Sequence, residues 1–341
     1  MTIKPAKKIF KPIVLLMCIT VLLFNTACTA EIRSDERISE TRLLLDTYVT
    51  ITIHGNVDPG LLNEAFLLCE ELESLLSMTL EGSDIWRINN AGGEPVRVDP
   101  RTIEVIEAGL LFGEISNGKF DITIGRLSRL WDFGGLQHVP SDDEIYEAKA
   151  TVDFRQIIIE AGIEVGFVQL INPDARIDLG AVAKGYIAGR IADHLTAAGV
   201  TGALIDMGGD VVAVGGRPGG DPWRVALRKP FGDAGEYLGI IEVYQASVLA
   251  SGVYERQFNQ NGLLYHHILD PETGHPVISD VVSATVLTEN AVFGEGLSTI
   301  AVLVGSEEAK NIFDGFQGFI GAVLVSEDGN IIEIGNIKLM N

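Results

Sequence analysis

The residues best placed to do chemistry lie in one run, Asp178-Leu179-Gly180-Ala181-Val182-Ala183-Lys184-Gly185. It puts an acid at the end of an apolar, strand-like stretch, a glycine at the start of a helix, and a lysine one turn in. Free backbone N–H groups at a helix N-terminus, together with an ammonium, suit a phosphate. A lysine in the first turn opposes the helix dipole unless an anion or an acid satisfies it, which adds weight to a functional role.

Two further clusters follow. Ser251-Gly252-Val253-Tyr254-Glu255-Arg256 precedes His266-His267-Ile268-Leu269-Asp270-Pro271-Glu272-Thr273-Gly274. Adjacent histidines in an extended chain point to opposite faces, so His266 and His267 do not form a metal pair, and one of them is structural or exposed. No His-Glu-x-x-His, Gly-x-Ser-x-Gly, Gly-x-Gly-x-x-Gly after a strand, or Gly-x-x-x-x-Gly-Lys-Ser/Thr occurs. Zinc hydrolysis, a nucleophile elbow and the common nucleotide loops are therefore poor fits.

The elements that must carry these residues can be read from periodicity. Tyr48 to His54 alternates as a strand, and Leu61 to Leu76 repeats at spacings of three and four as a long amphipathic helix. A helix takes in Thr102 to Glu114, and Gly180 to Ala198 is the clearest helix, with Gly199 as its C′ residue. Residues 77–93 and 116–140 read as loops, 142–162 as a helix with a short extension, and 167–171 and 175–179 as strands about an Asn-Pro-Asp turn. Strands are expected near 203–206, 211–214, 223–228, 238–243, 246–250 and 281–287, a helix over 289–303, and strands near 319–325 and 331–334. Successive strands with few helices between them argue an α+β protein with mixed or antiparallel sheets and packed helices, as one elaborated domain over 43–341.

The N-terminus reads as an address. Lys4, Lys7, Lys8 and Lys11 precede an almost entirely apolar stretch from Ile13 to Phe24. That stretch falls short of the roughly 20 residues that span a bilayer and fits an export signal. Asn25-Thr26-Ala27-Cys28 then resembles a bacterial lipoprotein signal, with 1–27 removed and Cys28 lipid-modified. The polar residues 28–42 would tether the domain to the extracytoplasmic side of the bacterial cell membrane, periplasmic or outer face, with no spanning helix in the mature chain. Ordinary secretory cleavage and an uncleaved signal anchor are the alternatives. The third cysteine, Cys69, sits in a helical run with no base nearby and reads as a small buried hydrophobe.

Composition agrees with a folded, exported protein. The 341 residues are 47% hydrophobic, and 25 basic against 47 acidic side chains give a net charge of -22. No basic surface is available to neutralise a nucleic-acid backbone, and an anionic substrate must meet local donors because the global field repels it.

Six blocks in order carry a family resemblance: Ser116-Asn117-Gly118-Lys119-Phe120-Asp121-Ile122-Thr123 with Trp131, the Asp178-to-Tyr186 run, Gly208-Gly209-Asp210, Ser251 to Arg256, His267 to Pro276, and Gly296-Leu297-Ser298-Thr299. From about Leu45 to Leu339 the chain resembles the ApbE family of exported FAD:protein FMN transferases, whose fold is related to the T-fold. The resemblance implies cleavage of FAD with Mg²⁺ and attachment of FMN by a phosphoester bond to a Thr or Ser of an acceptor flavoprotein, with AMP released. The acceptor would belong to a membrane redox complex or an extracytoplasmic reductase. The implied flavin site takes in Leu45, Thr79, Lys119, Phe120, Asp121, Asp178, Lys184 and Leu269. The family usually has Met at the first of these positions and often an aromatic at the second. The implied metal ligands are the Ala181 backbone oxygen, Glu295, Ser298 and Thr299, with Glu295 standing where the family normally has Asp. Lys184 and Asp178 would act at the reacting phosphate, and His267 would assist deprotonation of the acceptor hydroxyl. The same residues would serve hydrolysis of FAD by water, or flavin binding without turnover.

Overall fold

A computed structural model describes residue 2 and residues 36–340, except 136 and 234. The expected signal over 1–27 and the lipidation site Cys28 lie outside the described residues, as does the tether up to residue 35.

The tether was expected to reach residue 42, but β1 (Arg37–Leu44) is already a strand, paired residue for residue with β2 (Thr47–His54). Leu45 and Asp46 join the two, both at φ 55°, the two left-handed residues of a tight hairpin turn. β1 escapes a pattern search because it is a polar edge strand. Its ladder is reinforced by hydroxyl pairs, Ser39 with Thr52 at 2.7 Å and Thr41 with Thr50 at 2.9 Å.

Helices α1 (Gly60–Leu76) and α3 (Pro100–Ile115) form as expected. The two stretches read as loops each hold a short helix, α2 (Asp84–Asn89) capped by Ser83 and α4 (Gly125–Trp131). The 142–162 helix stops early: α5 (Asp142–Lys149) closes a Ser141/Glu144 capping box, and β4 (Ile157–Glu160) follows. Residues 175–179 make only an isolated bridge, Arg176 to Ile124, in place of a strand. β3 (Val96–Val98) and β5 (Gly166–Leu170) complete a small antiparallel sheet in the order β3-β5-β4.

The remaining elements build the scaffold of the site. They are α6 (Ala183–Ala197), β6 (Gly202–Met207), β7 (Asp210–Gly215), β8 (Trp223–Arg228), β9 (Tyr237–Val243) and β10 (Ser247–Gly252). After them come β11 (Gln257–Gln260), β12 (Leu263–His266), β13 (Val281–Thr288), α7 (Ala291–Val304), α8 (Ser306–Asp314), β14 (Phe319–Ser326) and β15 (Ile331–Gly335). Eight strands pair antiparallel throughout in the order β1-β2-β6-β7-β10-β13-β14-β15.

Period-two alternation divides this sheet's side chains between two cores. Val212, Val214, Leu249, Val286, Ala322 and Leu324 face the helices. Ala213, Val248, Leu287 and Val323 face the β8–β9 hairpin, with its Trp223 and Ile241. β13, covered on both faces, is buried along its whole length. Among the described residues no helix is long and apolar enough to cross a membrane.

Candidate active site

Register in the central sheet assembles the site. β10 runs antiparallel to β7, with Val248 opposite Val211, and the Ala250 N–H donates to the Asp210 carboxylate at 2.9 Å. Asp210, the first residue of β7, is thereby fixed beside the end of β10, where Ser251 follows. The ammonium of Lys184, from the first turn of α6, donates to Asp210 and lies 3.5 Å from the Glu295 carboxylate.

Glu295 belongs to α7, which packs across β10 and β13. Its carboxylate also accepts from the Gly185 N–H. That N–H would otherwise bond the carbonyl of Ala181 four residues back, so the Ala181 oxygen is free of that helical bond. One turn further on, the Ser298 and Thr299 hydroxyls donate to the Glu295 carbonyl at 2.9 and 3.2 Å and meet the Ser251 hydroxyl at 2.8 and 3.0 Å. The two helices touch so closely only because of glycine. A Cβ on Gly185 would lie 2.6 Å from the Ala291 carbonyl oxygen and 3.0 Å from Glu295.

The electrostatics of this cluster are unbalanced. Two buried carboxylates, Asp210 and Glu295, share one ammonium. Burial pushes the Glu295 carboxyl above its usual range; Lys184 opposes the rise and Asp210 adds to it. Burial pulls the Lys184 ammonium down, but Asp210 and Glu295 more than compensate and hold it protonated.

Among the described residues no group of three or more His, Cys, Asp or Glu side chains converges as a metal site. The oxygen set of Glu295, Ser298, Thr299 and the Ala181 carbonyl nevertheless fits a hard divalent cation. The Ser298 and Thr299 hydroxyls can offer oxygen lone pairs, and two buried carboxylates share the single Lys184 ammonium.

The other residues expected to matter are placed as follows. Asp178 is half-buried; its N–H donates to the Ile122 carbonyl at 2.7 Å and its carboxylate accepts from the Gly180 N–H at 2.9 Å. Lys119 bonds Glu272 at 2.8 Å and approaches Asp270 at 3.4 Å, tying its loop to the 270–276 turn. Phe120 is a core aromatic, 4% exposed and edge-on to Phe112. Asp121 is buried as a brace, accepting from the Thr123 N–H, the Thr123 hydroxyl and the Phe154 N–H. Leu269 packs in an aromatic cluster with Trp131 and Phe133. Leu45 is half-buried in the hairpin turn, its N–H donating to Glu73, and Thr79 is exposed, its hydroxyl paired with Ser77.

The two histidines divide as their adjacency predicts. His266 is buried, with Nε2 bonded to the Val277 carbonyl at 3.1 Å. Burial pushes His267 down to about 4, helped by the Arg256 guanidinium, the neighbouring His266 imidazole and, more weakly, the Lys184 ammonium, and its buried Nδ1 has no hydrogen-bond partner among the described residues.

Sequence reasoning missed two contributors. Asp210 reads as the end of a Gly-Gly turn, and Ser251 reads as a serine without a triad. The available signal was their position at strand ends within the six blocks that carry the family resemblance, not any property of the residues themselves.

The family model described as the ApbE family matches residues 45–324, and the chain belongs to the ApbE family. It is 34% identical over 283 residues to the FAD:protein FMN transferase of Treponema pallidum, covering 79% of this chain and 78% of that protein. The corresponding figures for a Klebsiella pneumoniae protein of the same name are 33% over 302 residues, 88% and 92%. Among solved structures, the ApbE protein of Thermotoga maritima superposes with a TM-score of 0.79 at 31% identity, covering 88% of this chain and 97% of its own. The flavin transferase ApbE of Vibrio cholerae gives 0.78 at 27%, covering 88% and 98%.

Proposed function

We propose that this chain cleaves FAD and transfers its FMN half to a Thr or Ser hydroxyl of an acceptor flavoprotein, releasing AMP. The observation that carries the reading is the placement of Lys184 between Asp210 and Glu295, beside the hydroxyls of Ser251, Ser298 and Thr299.

In the reaction the acceptor oxygen forms a bond to the FMN phosphorus as the bond from that phosphorus to the AMP oxygen breaks. AMP leaves with the bridging oxygen, and the hydroxyl proton passes to a base. Lys184, held protonated, stabilises charge on the phosphate oxygens, and its two carboxylates fix its position. Glu295, Ser298, Thr299 and the Ala181 carbonyl would hold Mg²⁺, which when bound supplies Lewis-acid charge neutralisation. His267 is the group we assign as base: burial keeps its imidazole neutral at physiological pH, the form that can take a proton.

The flavin would lie between the Leu45 turn, Thr79 and Lys119 on one side and Asp178 on the other. Phe120, Asp121 and Leu269 would act from beneath as the packed floor that sets the loops. Cys28 would carry the lipid that holds the protein on the outer face of the cell membrane.

The test is to incubate the full-length chain with FAD and Mg²⁺, with and without an acceptor domain, and to analyse products by mass. Transfer predicts an acceptor heavier by one FMN with equimolar AMP. Free FMN and AMP with an unmodified acceptor would make the enzyme a hydrolase, and unchanged FAD would make it a binding protein.

A further inference from the structure

Arg256 stands across a hairpin from His267. β11 and β12 pair antiparallel, with Gln257 opposite His266 and Phe258 opposite Tyr265. The ladder continues one step past the strand ends, where the His267 N–H donates to the Arg256 carbonyl at 3.1 Å. Residues opposite one another in such a ladder put their side chains on one face, about 5 Å apart at Cβ. Alternation sets Arg256 and His267 on the same face as Phe258 and Tyr265, whose rings stack at 5.3 Å.

The hairpin is also tied to the site through the chain. β10 runs into it just after Ser251, by a turn in which the Glu255 N–H donates to the Gly252 carbonyl at 3.3 Å. Ser251 itself meets the hydroxyls of Ser298 and Thr299. Burial first, then the Arg256 guanidinium, the His266 imidazole and the Lys184 ammonium hold His267 low, while the Arg256 carbonyl opposes them. The imidazole therefore lies in the field of both cations.

These two cations differ in what holds them. Lys184 is shared by Asp210 and Glu295. The Arg256 guanidinium is exposed and, among the described residues, makes no ion pair or hydrogen bond; the acid beside it, Glu255, turns instead to Arg228 at 3.3 Å. Its charge is open to an incoming anion. A pyrophosphate that approaches Lys184 meets two carboxylates there, and in a chain of net charge -22 it needs further donors at short range.

We propose that the Arg256 guanidinium binds the pyrophosphate of FAD, as the second protein cation of the site beside Lys184. A guanidinium presents paired N–H donors that match two phosphate oxygens at once, and it stays charged at every working pH. Pairing also offsets the positive field that Arg256 exerts on His267, so the base takes up a proton more readily once the substrate is in place. Naming FAD as the source of the phosphate rests on the transferase reading. The placement of Arg256 against His267 does not.

The experiment compares Arg256→Gln and Arg256→Lys with wild type, all as full-length chains, with no acceptor and no divalent cation present. Calorimetry with FAD and with riboflavin separates the phosphates from the flavin. NMR of histidine-labelled protein follows the His267 imidazole, identified by its loss in His267→Gln. Arg256→Gln should weaken FAD binding about tenfold or more, the worth of a charge-assisted hydrogen bond, and leave riboflavin affinity unchanged. Arg256→Lys should recover part of the loss. His267 should titrate higher in Arg256→Gln than in wild type, nearer the ordinary histidine range. Equal FAD affinity in wild type and Arg256→Gln would overturn the proposal and leave the transferase reading standing. Equal losses for FAD and riboflavin would overturn it too, by making Arg256 a scaffold of the flavin pocket. A wild type that binds no FAD would end both readings.

Discussion

The Gly185 N–H donates to the carboxylate of Glu295, 110 residues further along the chain, and this bond locks the first turn of α6 to the first turns of α7. Both the approach and the bond depend on the absence of a side chain at Gly185. Gly185→Ala should cost about 1–3 kcal/mol of stability through overpacking and should cut FMN transfer more severely than its folded fraction explains. Thermal unfolding alongside single-turnover transfer checks both; a variant with wild-type Tm and wild-type rate would show that the helices adjust freely.

Glu295 is expected to matter as a charged oxygen ligand. Glu295→Gln keeps the shape and removes the charge, so transfer should fall by about 10²-fold or more, in the range of lost electrostatic stabilisation. Glu295→Asp should retain activity. Chelator should abolish wild-type turnover and added Mg²⁺ restore it. Transfer that persists with chelator would remove the cation from the mechanism.

Asp210 pairs with Lys184 and accepts from the Ala250 N–H, so its expected part is to position that ammonium. Asp210→Asn should leave the ammonium held by Glu295 alone. The expected result is a lower kcat with little change in the affinity for FAD, measured by calorimetry against steady-state rates. A loss confined to FAD affinity would place Asp210 in the binding surface instead.

His267→Ala should depress transfer by about 10²-fold, the ordinary worth of a general base, while His266→Ala, which loses the Val277 bond, should act mainly on stability. His267 also makes a pH signature. The folded protein resists its protonation down to about 4, whereas the unfolded chain takes that proton near 6.5. Between these values the unfolded state binds more protons, so stability falls as pH drops from about 6.5 towards 4, by up to about 1.4 kcal/mol per pH unit. Denaturant titrations of His267→Gln across that window should show a flatter decline than wild type, and an identical decline would mean the imidazole titrates normally.

Cys69 should resist thiol reagents in the native protein. It is fully buried, and burial, aided by Glu73 and Glu70, pushes its thiol up to about 12. Labelling of Cys69 by an aromatic disulfide, separated from Cys18 and Cys28 by peptide mass analysis, should require denaturant; its rapid labelling in the native chain would expose an opening in α1.

The legible parts of this molecule were those whose side chains divide cleanly between core and water. α1, α3, α6 and α7 announce themselves by apolar spacing, and β13 by its unbroken run of buried residues. α4 did not: it opens on a glycine, has no side-chain cap, and in about two turns offers only Leu127 and Trp131 after it as buried anchors. β1 stayed hidden because its outward residues are polar on a strand with one neighbour. Within the site, Lys184 stood out because a first-turn lysine is electrostatically awkward alone. Asp210 did not, because its role comes from register between β7 and β10, which no local spacing encodes. Phe120 and Asp121 came into view only through the family pattern, and their packing shows what they do in this chain: they hold loops in place from within.

The cluster assigned to the reaction draws on Lys184, Asp210, Ser251, Glu295 and Thr299, from segments far apart along the chain that the eight-stranded sheet and the helices packed on it bring together. Synthesis delivers them in that order, so the flavin-cleaving machinery does not exist in any nascent chain shorter than the one that includes α7. Long-range assembly of this kind forms late and together with the whole domain. Until α7 has been made and packed, the polypeptide therefore lacks the Glu295, Ser298 and Thr299 part of the cluster assigned to act on FAD.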